Sequence, residues 1–525
     1  MPVKDKETTV TVMPTPKRGV NLFSNLLDLH EEEAILMKNL VYSSGLQGRG
    51  GSDKFVANEV VAGKRINGLH RFYYGTASKQ VLAAAGTTVK YWDGAAWTDV
   101  KTGLTENAAT SFSDWLVSCY IANGVDAPHK WSGAVNAAVA AAPAMTKMFL
   151  PYQDRLLSIS GGDLSWSSSF TDATWETVAN CNVRPDVVLN GMIIHADTNA
   201  NSGYTAKVLL AGNNGMYLFA GRDLRVPYTT GDYSIYALAT KFGCSAFRTM
   251  AWTPRGSIWY ANDKQLYLLP FDSTTPIPIG HKIQSQTGVS EVDGIDKIPA
   301  ALISRLSAVY HNGYYKLSCP SEGGVNNVRQ WWLQIDRLYI DENRLAGPFF
   351  GPMEGMEIEC FATMTGFGDN NDLIGGSANA TTGGFIYNLS VVALRNDVGV
   401  AIDYKYRSSP NALGSHFLNK VIHRMEVETL DVDGTITCTL QDIADTASMV
   451  KAVTLSPTSY WGMDYWGVLY WDGGSDRYVR TVLTFSEHFN LRFLRLLLEF
   501  SSSSSLLTVI ALRIEHTEQE LILQR

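Results

Sequence analysis

The chain has 525 residues, of which 45% are hydrophobic and 18% are charged, and its formal net charge is −8. This composition is ordinary for a folded protein and excludes an intrinsically disordered chain, while the acidic balance gives no basic surface for wrapping nucleic acid. The sequence has no apolar run of about 18 residues and no apolar amino-terminal signal region, so we expect no membrane span and folding where the chain is made.

The first 59 residues are predicted to form an amino-terminal arm with one short helix. Residues 1–17 are polar, and residues 8–12 are interpreted as a short strand within a flexible or partner-ordered arm. Asp28 is a suitable cap for a helix over residues 31–38, because three early glutamates would lie near the positive end of its dipole. The glycine-rich residues 48–51 lack the ending of a phosphate loop and are interpreted as a turn into the next domain.

The stretch from Gly68 to Val100 is the clearest structural unit of the sequence. Its β-favouring runs are separated by turns at Gly86 and at Asp93-Gly94. Asp-Gly between such runs indicates a hairpin, because both residues tolerate a positive φ. The unit therefore contains three or four short antiparallel strands, which is the size of one β-propeller blade.

Similar units recur along the chain at a spacing of about 35 to 55 residues. Each combines a strand, a polar turn and a strand with aromatic residues, and they fall at 111–135, 148–175, 208–219, 257–269, 313–335 and 373–388. Such a period is typical of propellers and other repeat folds. We predict a β-propeller of six or seven blades over residues 60–392, with the polar segment 280–298 as an inserted rim loop that can carry partner contacts.

The pattern changes near residue 400, where longer runs alternate between polar and apolar residues. These runs are 402–406, 420–428, 434–440, 478–485, 493–500 and 507–514. Alternation with a period of two is typical of half-buried antiparallel strands. We therefore predict a β-sandwich over residues 393–525 and an all-β fold for the chain.

Six cysteines are spread singly along the chain, at positions 119, 181, 244, 319, 360 and 438. They show no paired Cys-x-x-Cys spacing, so we predict no zinc site. Small buried thiols in a reducing compartment are the expected state, and no disulfide is predicted.

No sequence pattern assembles a catalytic set. A Gly-x-Ser-x-Gly elbow, a kinase set and a dinucleotide fingerprint are all missing from the sequence, so we predict no enzyme, no catalytic residue, no metal and no cofactor. Residues 369–372 resemble half a calcium loop without its glutamate and are interpreted as a surface turn. Residues 168–175 resemble a damaged Ser-x-Asp-x-Gly-x-Thr-Trp box of sialidase-type propellers, which is itself a structural turn.

An unusual aromatic run lies within the predicted sandwich. It consists of Tyr460, Trp461, Tyr465, Trp466, Tyr470 and Trp471. Such rings could stack on sugars or bases, or could pack against a neighbouring subunit. We favour the second interpretation, which makes these six residues the candidate subunit interface.

Several motifs, in their order along the chain, resemble the tail nozzle or tail hub proteins of short-tailed bacteriophages. They are Gly19-Val20-Asn21, Glu33-Ala34, Asn39, Gly48-Arg49-Gly50-Gly51, Asp154-Arg155-Leu156, Leu164-Ser165-Trp166-Ser167, Trp175, the stretch from Lys420 to Arg424, Trp461-Gly462 and Trp466-Gly467. The resemblance covers most of the chain. It departs from the shorter family members in the segment 280–298 and in the extended amino-terminal arm.

The resemblance implies a virion protein that is made in the host cytoplasm and assembled into the tail as a homohexameric ring. Such a ring contacts the portal–adaptor complex and other tail proteins, and it continues the channel through which DNA passes without sequence-specific binding. No catalytic set is carried over. The alternative is a carbohydrate-binding or glycosidase-like propeller in receptor recognition, which rests on the aromatic run and the damaged box.

Overall fold

The computed structural model describes residues 8–73, 79–175, 181–183, 186–195, 207–224, 232–285, 292–341, 343–363, 373–391, 394–414, 418–430, 432, 434–442, 448–455, 478–491, 493–502, 505 and 507–519. The described chain is built mainly from antiparallel strands. Its helices are short 3-10 turns at Leu26–Asp28, Phe247–Thr249, His281–Ile283, Ile295–Lys297, Ala300–Arg305 and Ile335–Arg337. Within these ranges, no helix has the length and apolarity that crossing a membrane requires.

Five strands precede the first repeat unit, and they are distributed over several sheets. They are β1 Thr9–Val12, β2 Ala34–Lys38, β3 Leu40–Tyr42, β4 Leu46–Gly48 and β5 Gly51–Lys54.

In the described part of the chain, the repeat units form seven four-stranded blades, five of them as separate sheets and the last two as the ends of one fourteen-stranded sheet. Blade 1 contains β6 Ile66–Tyr73, β7 Lys79–Ala85, β8 Thr88–Trp92 and β9 Trp97–Lys101; blade 2 contains β10 Ser111–Trp115, β11 Ser118–Ala122, β12 His129–Trp131 and β13 Asn136–Ala138. Blade 3 contains β14 Met148–Tyr152, β15 Arg155–Ser160, β16 Asp163–Trp166 and β17 Cys181–Asn182; blade 4 contains β18 Leu189–His195, β19 Lys207–Gly212, β20 Met216–Asp223 and β21 Asp232–Ala237. Blade 5 contains β22 Ala251–Thr253, β23 Gly256–Tyr260, β24 Leu266–Leu269 and β25 Ile277–Pro278.

The last two blades borrow strands from outside the simple repeat. Blade 6 contains β26 Ser307–His311, β27 Tyr314–Cys319 and β28 Arg329–Gln334, then a separate hairpin of β29 Tyr339–Asp341 and β30 Arg344–Ala346, and finally β31 Phe349–Glu354. Blade 7 contains β32 Ile358–Thr363, β33 Leu373–Ser377 and β34 Ile386–Val391, and its outer strand is β5. Because β5 lies before residue 60, the propeller uses chain from outside the predicted range.

The first strand of each blade contacts the first strand of the next blade. These contacts run from β6 through β10, β14, β18, β22 and β26 to β32, and β32 in turn contacts β6. Seven blades therefore close into a ring, which is a β-propeller, and the blade count falls within the predicted six or seven.

Among the described residues of the carboxy-terminal region, eight further strands form two groups. They are β35 Asn396–Asp397, β36 Val400–Ser408, β37 Asn419–Leu430, β38 Gly434–Gln441, β39 Ser448–Leu455, β40 Tyr478–Leu491, β41 Arg495–Ser502 and β42 Thr508–Gln519. One sheet has the order β3-β4-β42-β37-β40, and β1 also pairs with β42. The other sheet continues from β31 of blade 6 through β2 to β36, β41, β38 and β39. All six strand predictions for this region are confirmed, whereas the arrangement of the two sheets as a sandwich stays a prediction.

The helix predicted for residues 31–38 is wrong. Residues 34–38 form β2, which pairs with β31 on one side and with β36 on the other. Ala34, Ile35, Leu36 and Met37 are all buried, so the run presents apolar side chains to both faces of a sheet. A continuous apolar run is typical of a strand that is covered on both faces, and an amphipathic helix would need a polar face.

The flexible or partner-ordered arm that was predicted for residues 1–17 is also wrong for the described residues 8–17, because they are ordered by contacts with the same chain. The predicted strand is confirmed as β1, and Thr9 to Val12 pair with His516 to Arg513 of β42. Similarly, the described ends of the predicted rim loop are packed, because Ile283, Ile295 and Ile298 belong to the main apolar cluster.

Candidate functional site

The six aromatic residues predicted as a subunit interface (Tyr460, Trp461, Tyr465, Trp466, Tyr470 and Trp471) lie outside the described residues, as does the calcium-like segment 369–372. The aromatic run nevertheless connects two strands whose positions are known. It follows β39 and precedes β40, and each of these strands is the last in its sheet order. Edge strands carry backbone donors and acceptors that can pair with another chain, so this part of the fold is a possible contact surface.

A concave space lined by polar groups lies at the axis of the propeller. A cavity of about 410 Å³ is lined by residues of blades 1, 2, 6 and 7, including His70, Arg71 and Asp114. A neighbouring cavity of about 170 Å³ shares His70 and Phe361 with it. The innermost strands supply these side chains because a seven-bladed ring leaves space between them.

One cluster in this space has the chemistry of metal ligands. His70 Nε2, Asp114 Oδ1 and Cys119 Sγ lie within 4.8 Å of one another, and Asp114 faces Cys119 across the hairpin of β10 and β11. However, His70 Nε2 and Asp114 Oδ1 are already hydrogen-bonded to each other at 2.7 Å. Burial, followed by the nearby Asp114 carboxylate, raises the pKa of the Cys119 thiol well above its usual value. These contacts describe a self-satisfied polar cluster, and a metal would have to displace both the hydrogen bond and the thiol proton.

A buried ion pair joins the propeller to the carboxy-terminal strands. Arg49 donates from Nη1 to Asp397 Oδ1 at 2.9 Å and from Nη2 to the other carboxylate oxygen. Ser52 donates to the same carboxylate, and Asn39 accepts from Arg49 Nε at 3.0 Å. Asn39 also donates to the backbone of Asp403 at 2.8 Å. Arg49 also donates to the backbone carbonyls of Gly50 and Glu354, so the glycine-rich turn is a structural joint whose arginine has four partners.

A second buried network lies beside it. Lys282 forms ion pairs with Glu33 and Asp341, and the Lys282 and Glu33 side chains are only 5% and 2% exposed. Asn21 donates to Glu33 at 2.8 Å, and the backbone of His30 donates to the same oxygen at 3.1 Å. The three glutamates at 31–33 thus have different roles, because Glu33 is a buried partner of the segment that was predicted to be a rim loop.

Gly19 is required by a close approach of two backbones. Its φ is +74°, and a Cβ at this position would lie 2.3 Å from the carbonyl oxygen of Phe349. The adjacent Val20 N–H donates to that oxygen at 2.7 Å. Any larger residue at position 19 would therefore separate the amino-terminal chain from β31.

Residues 168–175, the damaged sialidase-type box, form a turn, as the sequence predicts. Ser168 N donates to Thr174 O at 2.9 Å, and Ser167 and Trp175 form an isolated β-bridge. Trp175 packs on Phe149 with 6.0 Å between ring centroids. The box therefore packs its tryptophan against the first strand of blade 3.

Sequence reasoning found the motif residues of both networks but missed their partners. Lys282 and Asp397 lie 249 and 348 residues away from Glu33 and Arg49, respectively, and no local pattern links such distant positions. An arginine between glycines is a weak signal of a buried ion pair, because the glycines allow the backbone to lie close to neighbouring strands of the same protein.

No known family model matches the sequence, and no curated protein matches it either. Solved propeller structures are similar at low identity. A structure of BBS1N in complex with ARL6DN is 10% identical over 65% of this chain and 97% of that chain, with a TM-score of 0.38. A structure of YCF48 bound to D1 peptide is 7% identical over 68% of this chain and 98% of that chain, with a TM-score of 0.39. Kluyveromyces lactis Hsv2 is 7% identical over 55% of this chain and 98% of that chain, with a TM-score of 0.27. The fold assignment itself rests on the closed ring of seven blades: the chain contains a β-propeller.

Proposed function

We propose that this protein is a structural subunit of the tail of a short-tailed bacteriophage, where it forms a homo-oligomeric ring that continues the portal–adaptor channel and helps to retain or release DNA. The proposal rests first on the order of motifs that resemble the tail nozzle family. On this view the chain is no enzyme, it acts in the virion, and six copies form the ring.

One observation carries the proposal further. Asn21, Glu33, Asn39 and Arg49, which all belong to the amino-terminal motifs, take part in the two buried networks that join separate β-regions. A ring closes only if each subunit presents its two contact surfaces at a fixed angle. Buried, multiply bonded joints between the propeller and the carboxy-terminal sheets would fix that angle, which gives these motifs a reason to occur together.

The ring contacts are expected at the edges of the carboxy-terminal sheets. The edge strands β39 and β40 flank the aromatic run, and Val450 of β39 is 57% exposed. Val10 and Val12 of β1 are also exposed, at 55% and 59%. Apolar side chains on edge strands favour pairing with another chain.

The experiment is to mix the purified chain with particles that carry the portal and adaptor but no tail. We would compare the parent with a variant that lacks residues 1–17 and with Trp466→Ala, using Trp252→Ala, an exposed tryptophan of blade 5, as the matched control. The parent and the control should join the particles, and the two test variants should join less. Equal joining by both variants would disprove the proposed contacts, and a parent that never joins would remove the tail assignment.

A glycan array and turnover of model glycosides address the carbohydrate alternative. A ring protein should give no signal in either assay, so glycan binding or glycoside turnover would favour the alternative.

A further inference from the structure

One mouth of the propeller axis is lined by cations. Inner strands of a propeller run in the same direction, so their first residues meet at one end of the ring. Four cations lie at or just before these strand starts: Arg65 before β6, Lys147 before β14, Arg248 before β22 and Arg305 before β26. Two carboxylates lie there as well, Glu357 just before β32 and Glu359 at its start.

Only part of this positive charge is neutralised within the described protein. Arg305 forms a two-pronged ion pair with Glu359, at 3.1 and 2.7 Å. Arg65 donates to the neutral oxygens of Asn67 and Asn107, at 3.0 and 3.2 Å. Among the residues that the structure describes, neither Arg65 nor Arg248 has a carboxylate within ion-pair distance. Burial lowers the pKa of Arg65, and the charges of Arg305 and Arg248 lower it further, against the opposing effect of Glu359.

Two residues that line the smaller cavity at this mouth carry buried donors without partners among the described atoms. Arg248 Nη2 is buried and has no hydrogen-bond acceptor among the described atoms. Ser307 is only 2% exposed, and its hydroxyl also has no partner there. Both residues line the 170 Å³ cavity. A buried donor without an acceptor costs about 1–3 kcal/mol, and more when it is charged, so two of them at one cavity indicate a missing acceptor.

We propose that Arg248 and Ser307 form a binding site for a phosphate-type oxyanion at this mouth of the propeller. A guanidinium presents paired donors that match oxyanion geometry, and a serine hydroxyl can donate to a third oxygen. Water could accept these hydrogen bonds but would not neutralise the guanidinium charge of Arg248. The oxyanion enters as free phosphate or as the phosphate of a small ester, whose organic part would extend into the adjoining cavity that shares His70 and Phe361.

The test measures thermal unfolding of the full chain in phosphate-free buffer while sodium phosphate is added, with sodium chloride of equal ionic strength as the reference. Binding to the native state raises the midpoint in a saturable way. Arg248→Gln should weaken the apparent affinity by about tenfold, and Ser307→Ala should weaken it less. Arg255→Gln removes an equal charge from an exposed turn of blade 5 and should behave like the parent.

The phosphate-free midpoints separate a ligand role from a structural one. Arg248→Gln should be at least as stable as the parent without phosphate, because it removes a charge near Arg65 and Arg305. A lower midpoint there, no saturable effect of phosphate beyond that of chloride, or parent-like affinity in both variants would overturn the proposal.

A second titration identifies the source of the oxyanion. Tighter binding of glucose 6-phosphate than of phosphate, with no effect of glucose, would indicate a phosphate ester, and equal binding would indicate the free ion. Neither titration needs particles or assembly, so a negative result leaves the tail-ring proposal untouched.

Discussion

Arg49 and Asp397 form a buried two-pronged ion pair although 348 residues separate them in the chain. Both side chains are only 6% exposed. The pair lies where β5, the outer strand of blade 7, meets β35, so it connects the closure of the propeller with the start of the carboxy-terminal strands.

Breaking this pair on one side should destabilise the protein strongly. Arg49→Met leaves the Asp397 carboxylate buried without its cation, which typically costs about 3–5 kcal/mol of unfolding free energy. The exposed pair of Lys64 and Glu106 is the control, and Lys64→Met should cost less than about 1 kcal/mol. Urea unfolding of both variants measures the difference, and similar losses for the two would show that the buried pair has no special role.

Gly51 should be indispensable for closing blade 7. A Cβ at this position would lie 2.1 Å from the carbonyl oxygen of Asn396, so Gly51→Val must separate β5 from its neighbour. We expect a loss of about 1–3 kcal/mol or more. Asp53→Val, on the exposed side of the same strand, should change stability by less than about 0.5 kcal/mol. Equal unfolding midpoints for the two variants would contradict the role of β5 in closure.

Lys316 should make stability depend on pH above neutrality. Burial, together with the charge of Arg49, lowers the pKa of Lys316 to about 7, while lysine in an unfolded chain titrates near 10.4. Between these values the unfolded chain binds one more proton than the folded chain, so the free energy of unfolding should rise with pH from about 7 to about 10. Below about pH 7 Lys316 is protonated in both states, so it should add no further pH dependence.

Lys316→Met should abolish that pH slope and should stabilise the protein at pH 7, because the buried ammonium is removed. The ammonium lies 4.1 Å from the ring centroid of Trp332, a contact that methionine can partly replace. Lys64→Met, at an exposed site, should keep the slope of the parent. A lower stability of Lys316→Met at pH 7 would mean that the cation–π contact outweighs the cost of burial.

The described cysteines should resist alkylation in the native protein. Cys119, Cys244, Cys319, Cys360 and Cys438 are all free and buried. Burial raises the pKa of Cys244, Cys360 and Cys438 to about 12, so almost no reactive thiolate exists at pH 8. Intact mass after iodoacetamide treatment should show none of these five modified, and all six cysteines should react after unfolding. Rapid native labelling at Cys360 or Cys438 would contradict their burial.

Much of the fold follows from local sequence patterns. The Asp93-Gly94 turn joins β8 to β9, and period-two alternation located six of the carboxy-terminal strands, because both signals depend on neighbouring residues. Residues 34–38 were predicted to be helical, since a capped acidic turn before an apolar run can begin a helix in isolation. They form a strand because they pair with β31 and β36, which lie more than 300 residues away in the sequence.

The polar sites were less accessible to sequence reasoning. Arg248 and Ser307 stand near the starts of blades 5 and 6, and the contact of β22 with β26 brings them to one cavity. Likewise, the role of Arg49 depends on Asp397, whose position follows from the whole ring. Long-range charge pairing of this kind has no periodic signal in a single sequence.

The central claim is that this chain forms a ring in a phage tail, and electron microscopy of particles assembled with the purified chain tests it most directly. Class averages viewed along the tail axis should show a closed ring below the portal and adaptor, with six copies, each containing a seven-bladed propeller, around a continuous channel. Particles whose averages show no added density at that position, or a single copy attached away from the axis, would contradict the account.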